Sequence, residues 1–97
     1  MPNGLYFEPT ELRLRVGTAW TLLTIESEVG VVMTARGYAP AIAVNREDFR
    51  HIFLVGARSL SEPLEDLRLQ GSIVGRRIEV RKVRAESNAP YELRPAE

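Results

Sequence analysis

The fold of this chain is decided by residues 41–56, which read AIAVNREDFRHIFLVG. The first four residues, AIAV, form a short apolar run that is typical of a central β-strand. Asn45 follows as a good helix N-cap, and Asp48 lies three residues further on, where a carboxylate stabilises a helix N-terminus. The pattern therefore indicates a change from strand to helix at Asn45.

Apolar side chains continue at helical spacing after this cap. Phe49, Ile52 and Phe53 would share one stripe of a helix. Gly56 suits the position just past a helix end, because glycine adopts positive φ readily. We therefore predict a helix over residues 46–55, with both phenylalanines in the core.

Two further strands are predicted before this segment. Residues 11–16 alternate apolar and polar side chains, and residues 19–27 are rich in β-branched and aromatic residues. Together, residues 12–27 are predicted to form one long strand, or two, bent at Gly17. Residues 31–36 form the next strand between turn signals at Gly30 and at residues 37–40. With the AIAV strand, the first half of the chain becomes a meander of three strands.

The second half is predicted to contain one more helix and two strands. The helix runs from the N-cap candidate Ser61 to about Gln70. Residues 77–84 form a strand with a bulge near Lys82, because strict alternation would bury that charge. A last short strand around Tyr91 is expected to pair with it.

This order of elements resembles that of the OB-fold family. The stretches that carry the resemblance are RVGTAWTLLTIES (15–27), AIAVNREDFRHIF (41–53), IVGRRIEVRKVR (73–84) and NAPYELRP (88–95). The resemblance spans residues 11–95 and rests on element order and on the placement of glycines. It implies a mainly β (β+α) fold, a five-stranded OB-like barrel with one or two short helices between strands 3 and 4.

Length and composition set broader bounds. The chain has 97 residues, of which 44% are apolar and 27% charged, so we predict a single domain over residues 1–97, with residues 1–8 as a loose arm. The absence of cysteine excludes disulfides, thiolate metal sites and cysteine nucleophiles. No run reaches ~18 apolar residues, and charges interrupt the first twenty positions, so we expect a cytoplasmic protein without a membrane span or signal peptide.

The charged residues are strongly skewed in type. The chain has twelve arginines but one lysine, eleven glutamates but two aspartates, and few amides. This composition is typical of a thermophile, in which ion-pair networks are favoured and labile residues are avoided. A GC-rich genome accounts for the arginines equally well, so both origins stay open.

The formal net charge of zero conceals a segregation of charge. Residues 76–84 hold five basic side chains and one acidic one, a net charge of +4, so the remainder of the chain carries −4. On a strand, Arg77 and Arg81 share one face. A bulge would bring Lys82 or Arg84 beside them. Such a stripe can follow a phosphate backbone. The alternative is a solvated face neutralised by glutamates of neighbouring strands.

Aromatic residues near basic ones would add base stacking to such a surface. Tyr38 lies in a predicted turn beside Arg36, which resembles a stacking fingertip on the ligand-binding hairpin of an OB-fold. Trp20 has two interpretations, a core residue or a second stacking residue. The predicted nucleic-acid-binding residues are therefore Arg36, Tyr38, Trp20, Arg76, Arg77, Arg81, Lys82 and Arg84.

Catalytic and metal-binding patterns are missing from the sequence. His51 is the single histidine, so no His-based metal cluster or dyad can form, and we interpret it as an ordinary helix residue. The two glycines of residues 71–75 are not followed by the lysine of a phosphate-binding loop. We therefore predict no enzyme activity, no metal and no cofactor.

The sequence predicts a small OB-like protein that binds single-stranded nucleic acid, with DNA as the favoured ligand. The alternative is a protein-interaction or assembly module of the same shape, acting as a homodimer or a partner subunit. Leu54 and Val55 favour this alternative, because they extend the apolar surface of the predicted helix beyond one stripe.

Overall fold

The computed structural model describes residues 10–86 and 89–96, which form a mainly β fold with one helix. In chain order the elements are β1 (Thr10–Glu11), β2 (Thr21–Ile25), β3 (Gly30–Thr34), β4 (Gly37–Arg46), β5 (Phe49–Leu54), α1 (Arg58–Leu69), β6 (Arg77–Arg81) and β7 (Glu92–Pro95). The mainly β prediction is confirmed. The predicted arm of residues 1–8 lies outside the described residues. Within the described ranges, no helix has the length and apolar composition needed to cross a membrane.

The described strands form one sheet in the order β1-β5-β4-β2-β6-β7, and it is not closed into a barrel. Along one edge, β4 pairs with β5; along the other it pairs first with β3 and then with β2. All pairs are antiparallel except that between β1 and β5. A parallel bridge joins Val16 to Lys82, so residues 10–17 connect β5 with the end of β6.

The core lies between one face of the sheet and α1. Alternation along each strand sends every second side chain to this face, and the apolar stripe of the helix covers it. The side chains that are most completely buried are Leu23, Ile25, Ile42, Val44, Val55, Leu60, Ile73, Ile78 and Val80. Leu64 and Leu67 of α1 join the same cluster.

The predicted helix over residues 46–55 is wrong, because this segment forms the β4–β5 hairpin. Glu47 and Asp48 make its turn, with φ values of 53° and 71° in the left-handed region. The Asp48 N–H donates to Asn45 Oδ1 at 3.0 Å, so Asn45 stabilises a turn and not a helix N-terminus. Asparagine favours both settings, since its side chain bonds to nearby backbone N–H groups in each.

The strand also changes the position of the two phenylalanines. Phe53 is buried as predicted, but Phe49 is 70% exposed, so its assignment to the core is wrong. Phe49 is the first residue of β5, directly after the β4–β5 turn. Leu54 is half-buried and Val55 is buried in the core, so neither adds a second apolar face.

The other elements lie close to their predicted positions. The helix α1 begins three residues before Ser61 and ends beside Gln70, which is its C-cap. The predicted long first strand is regular only at Thr21–Ile25. No bulge is needed at Lys82, because β6 ends at Arg81 and Lys82 makes its separate bridge. The pairing of the last strand with β6 is confirmed.

Candidate nucleic-acid interface

A depression of about 610 Å³ opens at the end of the core, between the turn of the β3–β4 hairpin and the segment that follows β1. Its apolar lining includes the buried residues Leu12 and Phe53 and the half-buried Leu14. The charged and aromatic side chains that line it are Glu11, Arg13, Arg36, Lys82 and Tyr91. We call this site the basic depression.

The charge of the basic depression is positive. Arg13, Arg36 and Lys82 face a single carboxylate, that of Glu11. Arg13 approaches Glu11 only at the 4.0 Å limit of an ion pair, with most of its side chain in solvent. Within the described part of the chain, neither Arg36 nor Lys82 has a carboxylate partner within that distance. Two full cations are therefore available to an anionic ligand.

The hairpin turn fixes the position of Arg36. The Thr34 hydroxyl donates to the Gly37 carbonyl at 2.7 Å and accepts the Arg36 N–H at 3.2 Å. Gly37 has a φ of 112°, a conformation that side-chain-bearing residues rarely adopt. Arg36 is thus held at the tip of a short, closed turn, with its side chain exposed.

Lys82 is positioned by pairing between distant parts of the chain. Its carbonyl accepts the Gly17 N–H at 3.0 Å, next to the bridge with Val16. Its ammonium nitrogen lies 4.9 Å from the ring centroid of Tyr91, within cation–π range. The segment that follows β1 is also fixed to β5, since the Leu12 N–H donates to the Ile52 carbonyl at 2.7 Å.

Arg81 and Trp20 lie together, but apart from the basic depression. Arg81 Nε donates to Glu92 Oε1 at 2.6 Å, and its guanidinium carbon lies 4.2 Å from the Trp20 ring centroid. The guanidinium carbon of Arg94 lies 4.0 Å from the same centroid, and Arg94 is itself paired with Glu79 at 2.8 Å. Here the cations are neutralised by cross-strand glutamates, and the indole ring is already stacked.

This arrangement gives a spectroscopic prediction. Trp20 is the only tryptophan, so intrinsic fluorescence reports on its ring alone. If the ligand binds at the basic depression, saturating oligonucleotide leaves the Trp20 emission unchanged, because the two guanidiniums stay on the ring. Strong quenching would instead place the bases on the indole, since stacking is the contact that single-strand binders use.

The other predicted residues are dispersed. Arg76 and Arg77 line a separate depression of about 350 Å³ at the start of β6, beside Pro95. Arg84 is exposed beyond the end of that strand. Tyr38 is 74% exposed near the start of β4, paired with β3. Of the eight predicted residues, the basic depression therefore brings together Arg36 and Lys82.

Sequence reasoning missed two residues of the site, Arg13 and Tyr91. The alternation of residues 11–16 marks Arg13 as outward-facing, but it does not show what lies opposite. The sequence predicts a strand around Tyr91 but not its neighbours, and the ring is half-buried against Lys82. The Val16–Lys82 bridge brings the segment of Arg13 to the end of β6. This pairing joins segments far apart in the chain, and no local sequence motif indicates it.

Two further titratable features of the described residues lie outside the basic depression. On α1, the hydrogen bond from the Arg68 guanidinium lowers the pKa of the Glu65 carboxyl, an exposed pair outside the basic depression. His51 lies in β5, not on a helix, and its Nδ1 is buried without a hydrogen-bond partner among the described residues. In those same ranges, no group of three or more His, Asp or Glu side chains is arranged to hold a metal ion.

Comparison of the chain with models of protein families, with curated proteins and with solved structures found no match.

Proposed function

We propose that this protein binds single-stranded DNA, with the phosphate backbone held at the basic depression. The observation that carries the proposal is the meeting of Arg13, Arg36 and Lys82, from three separate segments, around one concave surface with a single carboxylate. Phosphate binding by basic side chains releases condensed counterions, which is the main source of sequence-independent affinity. The site therefore suits a ligand with repeated phosphates.

The distribution of ion pairs supports this location. Five of the ten other arginines in the described ranges carry a glutamate partner, and these pairs are Arg50–Glu26, Arg58–Glu62, Arg68–Glu65, Arg81–Glu92 and Arg94–Glu79. A neutralised arginine contributes little to counterion release, because no net charge is presented to the ligand. Of the five arginines without such a partner, Arg76 and Arg77 line the depression of about 350 Å³ at the start of β6. The basic depression is larger, at about 610 Å³, and gathers three cations, which favours it as the phosphate site.

The resemblance to OB-fold single-strand binders is part of the same proposal. In that family a five-stranded barrel presents one face and the loops at its edge to the ligand. The β3–β4 hairpin carries Arg36 at its tip, and Tyr38 follows two residues later with an exposed ring. We propose that Tyr38 stacks on a base that extends out of the basic depression.

A fluorescence anisotropy titration with a labelled single-stranded 20-mer, longer than the upper OB-fold site size of about 16 nucleotides, tests the proposal. The triple variant Arg13→Gln/Arg36→Gln/Lys82→Gln removes the three cations and keeps side chains of similar length. We expect it to weaken binding by roughly a hundredfold at about 50 mM salt, since each lost phosphate contact removes its counterion-release term.

Arg58→Gln is the control, because it removes one positive charge from an exposed position on α1 that does not line the basic depression. It should leave the affinity within about a factor of two, as expected for a charge that meets no phosphate. If the wild-type protein does not bind, or if the triple variant binds as tightly as Arg58→Gln, the basic depression is not a DNA site.

A further inference from the structure

The outer edge of β3 is open. This strand pairs with β4 and with no other strand of the described residues. Opposite residues of an antiparallel pair alternate between those that exchange hydrogen bonds and those that do not. Val31 lies opposite Pro40, which has no N–H, so this pair is of the second kind. The N–H and C=O groups of Val31 therefore point away from β4, and those of Met33, two residues on, do the same.

These outward groups are not satisfied elsewhere in the described ranges. No loop or turn hydrogen bond involves the backbone of Val31 or Met33. The carbonyl of Pro40 accepts the Val55 N–H at 3.0 Å on the opposite side, which agrees with the direction deduced for this pair. The edge thus presents two donors and two acceptors in the geometry that another strand requires.

The side chains along the edge are also apolar and exposed. Val31 and Met33 are each 68% exposed, and Tyr38, opposite Met33, is 74% exposed. By alternation, Tyr38 and Pro40 share their face with the buried residues Ile42 and Val44 further along β4. This apolar face therefore continues the core side of the sheet beyond the part that is covered.

We propose that two copies of this chain pair through the open edge of β3, in an antiparallel register centred on Val32. In this register Val31 of each copy exchanges both backbone hydrogen bonds with Met33 of the other, so every outward donor and acceptor is used. Antiparallel pairing of identical strands is two-fold symmetric, which is the most common form of a closed dimer. The proposal goes beyond DNA binding and does not depend on it.

Charge selects this register. Glu28 precedes β3 and Arg36 lies in the turn that follows it, four residues on either side of Val32. The register therefore directs Glu28 of each copy toward the hairpin turn that carries Arg36 of the other copy. The dimer thereby gains the same ion pair twice. Glu28 accepts one hydrogen bond from Ser72 through Oε2, which leaves Oε1 available. The guanidinium of Arg36 has five N–H donors and can bind a carboxylate and a phosphate together.

The composition of β3 favours a second copy over solvent. Natural edge strands are usually protected by charged residues, proline or a bulge. Gly30–Thr34, with sequence GVVMT, has no charge and no proline. In the dimer, Val31 of each copy lies next to Met33 of the other copy. The apolar faces of the two copies therefore form one continuous surface.

Sedimentation equilibrium without nucleic acid tests the dimer and its register. The wild-type protein should show a concentration-dependent equilibrium between monomer and dimer. Arg36→Glu and Glu28→Arg should each raise the dimer dissociation constant by roughly tenfold, because both symmetric ion pairs become like-charge contacts. The double variant Glu28→Arg/Arg36→Glu restores the opposite charges and should return to within about threefold of wild type.

Met33→Lys provides an independent test at an exposed position, with Leu69→Lys on α1, 73% exposed, as the matched control. We expect Met33→Lys to abolish the dimer and Leu69→Lys to preserve it, with unchanged circular dichroism in both. A wild-type protein that stays monomeric would overturn the proposal. A dimer that is insensitive to the charge reversals, or not restored by the double variant, would overturn it equally. DNA binding is scored separately, so either proposal can fail alone.

Discussion

Replacement of Leu23 by alanine is expected to lower the free energy of unfolding by about 2–5 kcal/mol. Leu23 is 0% exposed and lies in β2, which pairs with β4 on one edge and β6 on the other. Truncation there removes apolar contacts and leaves a cavity that three paired strands cannot readily fill. Because small domains are stable by only about 5–15 kcal/mol, this loss is a large share of the total.

The neighbouring residue gives the matched control for this prediction. Leu22 points to the other face of the same strand and is 47% exposed, so Leu22→Ala should cost less than about 1 kcal/mol. Urea unfolding followed by circular dichroism measures both values. Equal losses for the two variants would contradict the assignment of the core face of β2.

Replacement of the β4–β5 turn by Asn-Gly, Glu47→Asn/Asp48→Gly, is expected to stabilise the protein by about 1–2 kcal/mol. Glu47 and Asp48 both adopt positive φ, where a side chain crowds the backbone. Asn-Gly is the preferred pair for a two-residue hairpin turn with positive φ at both positions. The variant therefore removes strain without changing the pairing of the strands.

The same variant distinguishes the observed hairpin from the helix that the sequence pattern predicts for residues 46–55. In a helix over residues 46–55, glycine would destabilise the protein by about 1 kcal/mol relative to alanine. Asp66→Gly is the control, because Asp66 lies in α1, where glycine should be less favourable than aspartate by about 0.3 kcal/mol. If thermal unfolding shows that the turn variant is destabilised as Asp66→Gly is, the hairpin is contradicted.

The error at residues 46–55 has a physical origin. Phe49, Ile52 and Phe53 fit a helical stripe, while Phe49, His51 and Phe53 fit a strand, so spacing alone does not decide. A turn with positive φ is normally revealed by glycine or asparagine at its centre, and here the centre is Glu47-Asp48. Pairing with β4 along the whole of β5 determines the outcome, and that interaction cannot be read within a short window.

Where local and global preferences agree, the sequence was sufficient. The alternation of Ile78 and Val80 predicted a half-buried strand, and both side chains are fully buried. The helix predicted from Ser61 to about Gln70 overlaps α1, and its Leu64 and Leu67 belong to the core.

The turn predicted at residues 37–40 is wrong, because these residues begin β4 and the chain turns at Ala35 and Arg36. Gly37, with its positive φ, directly follows that turn, whereas Pro40 lies within the strand opposite Val31.

The candidate site was only partly predictable, because charge along a strand does not show which face or partner each residue meets. Arg81 and Lys82 are adjacent in sequence, yet Arg81 pairs with Glu92 while Lys82 lines the basic depression. The sequence already contained the alternative of neutralisation by cross-strand glutamates, and the structure places Glu92 in that position. The basic depression, by contrast, depends on contacts between residues far apart in the chain.

The salt dependence of DNA binding tests the central claim most directly. Anisotropy titrations of the wild-type protein over a series of salt concentrations give the slope of log K against log [salt]. Three phosphate contacts at the basic depression predict a slope of about −2 for a single strand, so a fourfold rise in salt should weaken binding roughly 20-fold. The Lys82→Gln variant should reduce the slope by about 0.7. A slope near zero, or one that Lys82→Gln leaves unchanged, would contradict the account.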